Sequence, residues 1–348
     1  MILPGTTREL AGLGASLHDA LTPPQPRLAA TRAPLILSQL VVGLVALAAW
    51  TTPLRAGTIY IPNASFESPV VPPVSPYAIP DMDYWEKSPQ PYWYDPAQNY
   101  DTPWEDLMGT FYNTPNIPST FIDNCDGVQA AFLFAVPDAA IFQDYDSIYG
   151  TNTTSSYAFN ATFNTNSAYI LTVGVIGSVY GYPPLYAGAT LQLSLYYRDA
   201  SSNMVTVAAA TVTNTAQSFP TNTHFVDFSV YLPGVQATDP WAGQNIGIQI
   251  ASTVGFDLAG GYWDVDNVRL TETALPALTN PGVTNGQGGF TLQSQPGLRF
   301  EILASTNLTL PLSNWTSLGT LTNVTGAIPF LDPATNLNSR FYQARQLP

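Results

Sequence analysis

Among 348 residues there is one cysteine, Cys125, and there are two histidines, His18 and His224. A lone thiol cannot close an internal disulfide, so stability has to come from core size or from a bound metal. His18 falls in an N-terminal leader, and His224 alone has neither a triad partner nor an H-E-x-x-H spacing, which excludes histidine-based zinc sites and Ser/Cys–His hydrolysis. Glycine-rich phosphate loops are absent as well. Charge is scarce and lopsided: Asp, Glu, Lys and Arg make up 10% of the chain, and 10 basic against 24 acidic side chains leave a net charge of -14. Such a surface repels phosphate backbones, so nucleic acid and anionic membrane are excluded as partners. Any catalysis must run on carboxylates or tyrosines.

What is present is apolar and β-forming. Hydrophobic residues reach 45%, and from residue 58 onward short apolar runs alternate with Gly, Pro, Asn and Asp clusters, without a sustained 3.6-residue period. Strands are expected at 130–134, 156–163, 168–176, 189–198, 205–213, 224–231, 245–252 and 262–271, enough for a two-sheet sandwich. The breaker-rich stretch 274–289 reads as a linker, followed by a smaller C-terminal β-sandwich-like domain over 290–348. The expected fold class is therefore all-β: a sandwich over 57–273, a small β-domain, and a hydrophobic signal or anchor helix before both. That helix is expected within residues 1–56, with an apolar core at 34–50 preceded by Arg27 and Arg32 and a small residue at Ala56. Cleaved or retained, it places the rest of the chain outside the cytoplasm, secreted or at the cell envelope. Membrane contact is expected only through that segment.

Four ordered blocks carry a family likeness. The stretch opens with Ile61-Pro62-Asn63-Ala64-Ser65-Phe66-Glu67 and closes with Tyr262-Trp263-Asp264-Val265-Asp266-Asn267-Val268-Arg269-Leu270. Between them stand Asp126 to Leu133 with Ile141 to Asp144, and Tyr169-Ile170-Leu171-Thr172-Val173. Together they resemble the galactose-binding-like jelly rolls, the fold of many carbohydrate-binding modules. The resemblance implies that the first and last strands lie together and that a structural calcium sits where they meet, with Glu67 and Asp266 as ligands and Asn63 as a third candidate. The alternative is that Glu67 caps a turn and Asp266 bonds a neighbouring loop. The same ends, with Phe111-Tyr112-Asn113, are also similar to the Stig cyclases, calcium-dependent enzymes that rearrange prenylated indoles. That likeness implies an acid role for Asp264. The C-terminal blocks, among them Gly289-Phe290-Thr291-Leu292 and Arg340-Phe341-Tyr342, resemble a β-module of secreted Verrucomicrobia-like proteins, with Phe341 and Tyr342 expected in its core.

The densest aromatic stretch, Tyr77 to Trp104, offers a ligand-facing surface. Trp85 is expected to be buried, as in related jelly rolls, whereas Trp93, Tyr94 and Trp104 are the candidate binding residues. On these grounds the expected function is an exported, non-catalytic, calcium-stabilised carbohydrate-binding-like or adhesive surface protein whose partner is a glycan or a small apolar ligand. Two alternatives stand beside it: a Stig-cyclase-like enzyme acting on an apolar aromatic substrate through Asp264, and a purely structural envelope protein.

Overall fold

The computed structural model describes residues 57–99, 101–114, 121–145, 147, 159–177, 185–221, 223–335 and 339–347. The expected signal or anchor helix lies outside the described residues. Among those described, no helix is long and apolar enough to cross a membrane.

Residues 57–274 form two facing sheets. One is built from β1 (Gly57–Ile59), β2 (Ala78–Ile79), β4 (Met108–Tyr112), β5 (Gln129–Phe134), β7 (Ser167–Gly177), β10 (Val226–Leu232) and β12 (Tyr262–Ala274). It runs β10-β7-β12-β5-β4-β2, with β1 also paired to β12. The other consists of β3 (Glu86–Lys87), β6 (Ala140–Gln143), β8 (Thr190–Arg198), β9 (Met204–Thr213) and β11 (Gly247–Ser252), in the order β3-β6-β11-β8-β9. Period-two alternation explains the layering. Leu171, Val173 and Val175 of β7, Leu191 and Leu193 of β8, Ile248 and Ile250 of β11, and Trp263 and Val265 of β12 point into one shared core. First and last strands do pair, Ile59 opposite Leu270 and Gly57 opposite Glu272.

β12 carries one break in its alternation. Trp263 and Val265 face the core, and so do Val268 and Leu270, so the phase slips by one residue between the pairs. The register shifts between Asp266 and Arg269, and Asn267 takes a left-handed φ of 50°. This is a β-bulge, with Asn as a residue type that tolerates such a backbone. The bulge leaves Asp264 and Asp266 both on the face turned away from the core.

Two sequence expectations need correction. Of the strand expected at 156–163, the described part is not a strand; Thr162 forms a single bridge to Asn245. The stretch 274–289 is not a linker either. It contains β13 (Ala277–Thr284) and the start of β14 (Gln287–Gln293), joined by a two-residue turn at Asn285-Gly286, both with positive φ. Asn-Gly is the sequence of a type I′ hairpin turn. Pro281 is accommodated because β13 is an edge strand whose register shifts between Thr279 and Gly282. With β15 (Arg299–Ser305), β16 (Thr316–Thr322), β17 (Ala327–Thr335) and β18 (Phe341–Leu347), the C-terminal strands make two three-stranded sheets, β13-β14-β17 and β16-β15-β18. Phe290, Leu292, Phe300 and Ile302 form their common core.

Candidate functional site

Asp264 is the third residue of β12, opposite Phe132 of β5 on one side and Ile176 of β7 on the other. Paired residues share a face, so Asp264 lies with Phe132, Phe134, Tyr262 and Ile176 on the side of the sheet that the central core does not occupy. The rings form a chain: Phe132 meets Phe134 at 6.3 Å between centroids, and Phe134 meets Tyr262 at 5.7 Å. Gly109 is required mainly by the backbone beside it, since a Cβ there would run into Ile79 O, and it would also stand 2.9 Å from Phe132 Cε1. Although it is turned away from the core, Asp264 is only 6% exposed. Its Oδ1 has no hydrogen-bond partner among the described residues.

Burial without a partner has a definite electrostatic consequence. Nothing offsets the desolvation of a carboxylate here, so the pKa of Asp264 is raised well above the usual value, with desolvation as the cause. Burial thus favours the protonated form of this side chain, beside aromatic rings, an arrangement suited to proton donation.

Next to it, Asp266 is also fully buried but well supplied. Its Oδ2 accepts from Asp126 N at 2.7 Å and its Oδ1 from Asn267 N at 2.7 Å. Desolvation nevertheless pushes its pKa up to about 7. The Cys125 thiol beside it is raised first by burial and then by the charge of Asp266, which removes it as a nucleophile.

Two asparagines tie together segments that lie beside the site. Asn113, buried, donates through Nδ2 to Ile122 O at 2.8 Å and accepts from Ile122 N at 2.9 Å. Asn124 does the same to Phe225, donating to its O at 3.0 Å and accepting from its N at 2.8 Å. Ile122 and Phe225 thereby pack with Ala130 and Ile176, and Phe225 stands over Gly174, the partner of Asp266 across the sheet. Asp123 adds a backbone bond to Thr223 O and a side-chain contact with His224 Nδ1. Truncating Asn124 to alanine would leave the N–H and C=O of Phe225 without this partner. It is expected to lower stability by about 1–3 kcal/mol, measured by urea unfolding.

Of the loop aromatics named from sequence, Tyr94 and Trp104 are buried and Trp93 is partly buried. Trp104 is 2% exposed and donates through Nε1 to Ser88 O, while Tyr94, also buried, donates to Thr102 O. Trp93 is packed edge-on between them and Phe256 and bonds Asp138. With their ring faces inside, Tyr94 and Trp104 cannot stack on a ligand. Trp85 is buried as expected, its Nε1 donating to Asn63 O.

Calcium is the cofactor the family likeness implies at Glu67, Asp266 and Asn63. The Asn63 amide is spent, donating to Ser68 O and Asp83 O and accepting from Ser68 N. Glu67 Oε1 accepts from both Val128 N and Gln129 N, and both Asp266 oxygens accept backbone N–H groups. No three His, Cys, Asp or Glu side chains converge as a metal-binding set among the described residues. Glu67 and Asp266 pin the loop from Cys125 to Gln129, one from each end of the jelly roll. The Asn63 amide is thus occupied, and Glu67 and Asp266 serve as acceptors that hold this loop.

Sequence reasoning singled out Asp264 but missed its surroundings. Phe132 and Phe134 were detectable as the outward positions of Gln129-Ala130-Ala131-Phe132-Leu133-Phe134, where apolar residues occupy both faces of a strand. An outward face that stays apolar signals a second covered surface.

The fold and site define a jelly-roll sandwich with a buried carboxyl and aromatic rings on one sheet face. The family description HpiC1-like, HpiC1 cyclase, matches residues 57–271, and the chain belongs to this family. Among solved structures, it is similar to the Stig cyclase Fisc from Fischerella sp. TAU in complex with (3Z)-3-(1-methyl-2-pyrrolidinylidene)-3H-indole, with 22% identity over 64% of this chain and 100% of that one and a TM-score of 0.45. A cyclase from Fischerella sp. TAU in complex with 4-(1H-indol-3-yl)butan-2-one matches with 22% identity, the same coverage and a TM-score of 0.44. A cellulose-specific carbohydrate-binding module, CBM28, is 12% identical over 43% of this chain and 79% of that one, with a TM-score of 0.28. No curated protein matches the sequence.

Proposed function

We propose that the jelly roll is a cyclase in which Asp264 protonates an apolar, indole-bearing substrate. The observation that carries this reading is the Asp264 carboxyl: buried, lacking a partner at Oδ1, favoured in its protonated form by desolvation and flanked by Phe132, Phe134 and Tyr262. Membership of the HpiC1-like family supports it. Asp264 gives its proton to a carbon–carbon double bond of the substrate, leaving a carbocation and an aspartate. The cation is captured by a π bond of the same molecule, which closes a ring, and the carboxylate recovers a proton from the closed product. Substrate and product are isomers, and no oxidant or reductant is needed. The aromatic faces lower the energy of the cation by cation–π attraction, which is strongest where water is excluded.

The test is incubation of the chain with a prenylated indole, followed by chromatography and mass spectrometry. A product of unchanged mass and new retention time is expected. No isomerisation of any prenylated indole by the wild-type chain would sink the proposal. We also propose that the enzyme is exported, on the strength of the apolar run 34–50 behind Arg27 and Arg32. N-terminal sequencing of the mature protein reads this directly.

A further inference from the structure

The C-terminal strands enclose a groove of about 650 Å³, within the size range of small-ligand sites. Its polar part is organised by Asp332 of β17, which is fully buried. The Asp332 carboxylate accepts from Tyr342 OH at 2.9 Å and from Ala334 N at 2.9 Å, and pairs with Arg340 Nη1 at 3.1 Å. A buried carboxylate is costly unless fully paired, and this one is spent on fixing two side chains that line the groove. Tyr342 is held from the other side by Phe290, 5.2 Å away between ring centroids, and Phe290 stacks on Phe330 at 5.0 Å. Among the described residues Arg340 is engaged with Asp332 through a single nitrogen, and the rest of its five N–H donors face no protein acceptor there.

The apolar part is open. Phe341 is 36% exposed at the groove, contrary to the core position expected from sequence, and Leu308 is more exposed still. Gly282 lies along the groove, and a Cβ added there would meet nothing within 4 Å. Charge selects the ligand class. Arg340 and Asp332 cancel, and the chain as a whole is strongly acidic, so an anion meets long-range repulsion with no free positive charge to offset it. A cation would have to approach a guanidinium. A neutral, polyhydroxylated ligand satisfies both parts, its hydroxyls accepting from Arg340 and its C–H face lying on Phe341.

We propose that this groove binds a neutral glycan, so that the C-terminal module tethers the chain to a carbohydrate surface. This does not depend on Asp264 or on any reaction in the jelly roll. The test uses the full chain on columns of cellulose, mannan and chitin, with alginate as an anionic and phenyl resin as an apolar comparison. Retention on at least one of the neutral polysaccharides is expected, weakened by about tenfold or more in Phe341→Ala and in Gly282→Phe. Gly282→Phe fills the groove without removing a core contact, so its melting curve should stay with wild type. No retention on the neutral polysaccharides overturns the proposal. So does retention that both variants keep, or retention stronger on alginate or phenyl resin.

Discussion

Asp264→Asn is expected to lower turnover of a prenylated indole by about 10²–10⁴-fold, the range that a positioned general acid contributes. Asparagine keeps the shape of a neutral carboxylic acid but has no proton that it can give to carbon. Binding should survive the change. The affinity for the prenylated indole used as substrate, measured by tryptophan fluorescence, is expected to stay near wild type while kcat falls. Equal loss of binding and turnover would mean that Asp264 shapes the site rather than serving as its acid. Asp266→Asn separates the two neighbouring carboxyls. It weakens the loop held through Asp126 N and Asn267 N without removing the Asp264 proton, so its turnover should fall less than that of Asp264→Asn.

The second large effect is on stability as a function of pH. Both Asp264 and Asp266 have folded-state pKa values above the unfolded value, the first well above and the second at about 7. Between the unfolded and folded values the native state holds more protons than the unfolded one, so stability falls as pH rises. The slope is about 1.4 kcal/mol per pH unit for each group. Below about pH 4 both are protonated in either state, and the contribution is fully present. Asp266 loses its share between about pH 4 and about 7. The loss from Asp264 continues above that window. Urea unfolding from pH 5 to 8 should therefore show wild type weakening steadily, with Asp264→Asn gaining on it as the pH increases. A pH-independent difference between the two would show that Asp264 is not held neutral by folding.

Much of the fold is legible in sequence because its strands follow period-two burial. β5, β7, β8, β9, β11 and β12 all fall where alternating apolar runs place them. The bulge in β12 can also be read, since Trp263, Val265, Val268 and Leu270 are spaced two, three and two apart. The hairpin at Asn285-Gly286 shows the limit of such reading. Turn residues mark both a linker and a hairpin, and only the pairing of β13 with β14 distinguishes them. The loop aromatics show another limit. Trp93, Tyr94 and Trp104 have the composition of a binding platform, but edge-to-face packing and hydrogen bonds to Ser88 O and Thr102 O make Trp104 and Tyr94 interior and leave Trp93 partly buried against them. Aromatic content does not say which way a ring faces.

By itself, the sequence determined the β class, the acidic surface, the exclusion of thiol and histidine chemistry, and Asp264 as the residue on which a binding module and an enzyme would differ. These follow from composition, periodicity and local motif. Only the tertiary structure decided what Asp264 is. Two carboxyls two residues apart on one strand look alike in sequence, yet one receives backbone N–H groups from Asp126 and Asn267 while the other faces Phe132 and Ile176 with Oδ1 unpartnered. Two of these partners, Asp126 and Phe132, lie more than a hundred residues away along the chain, and desolvation is a property of the assembled environment.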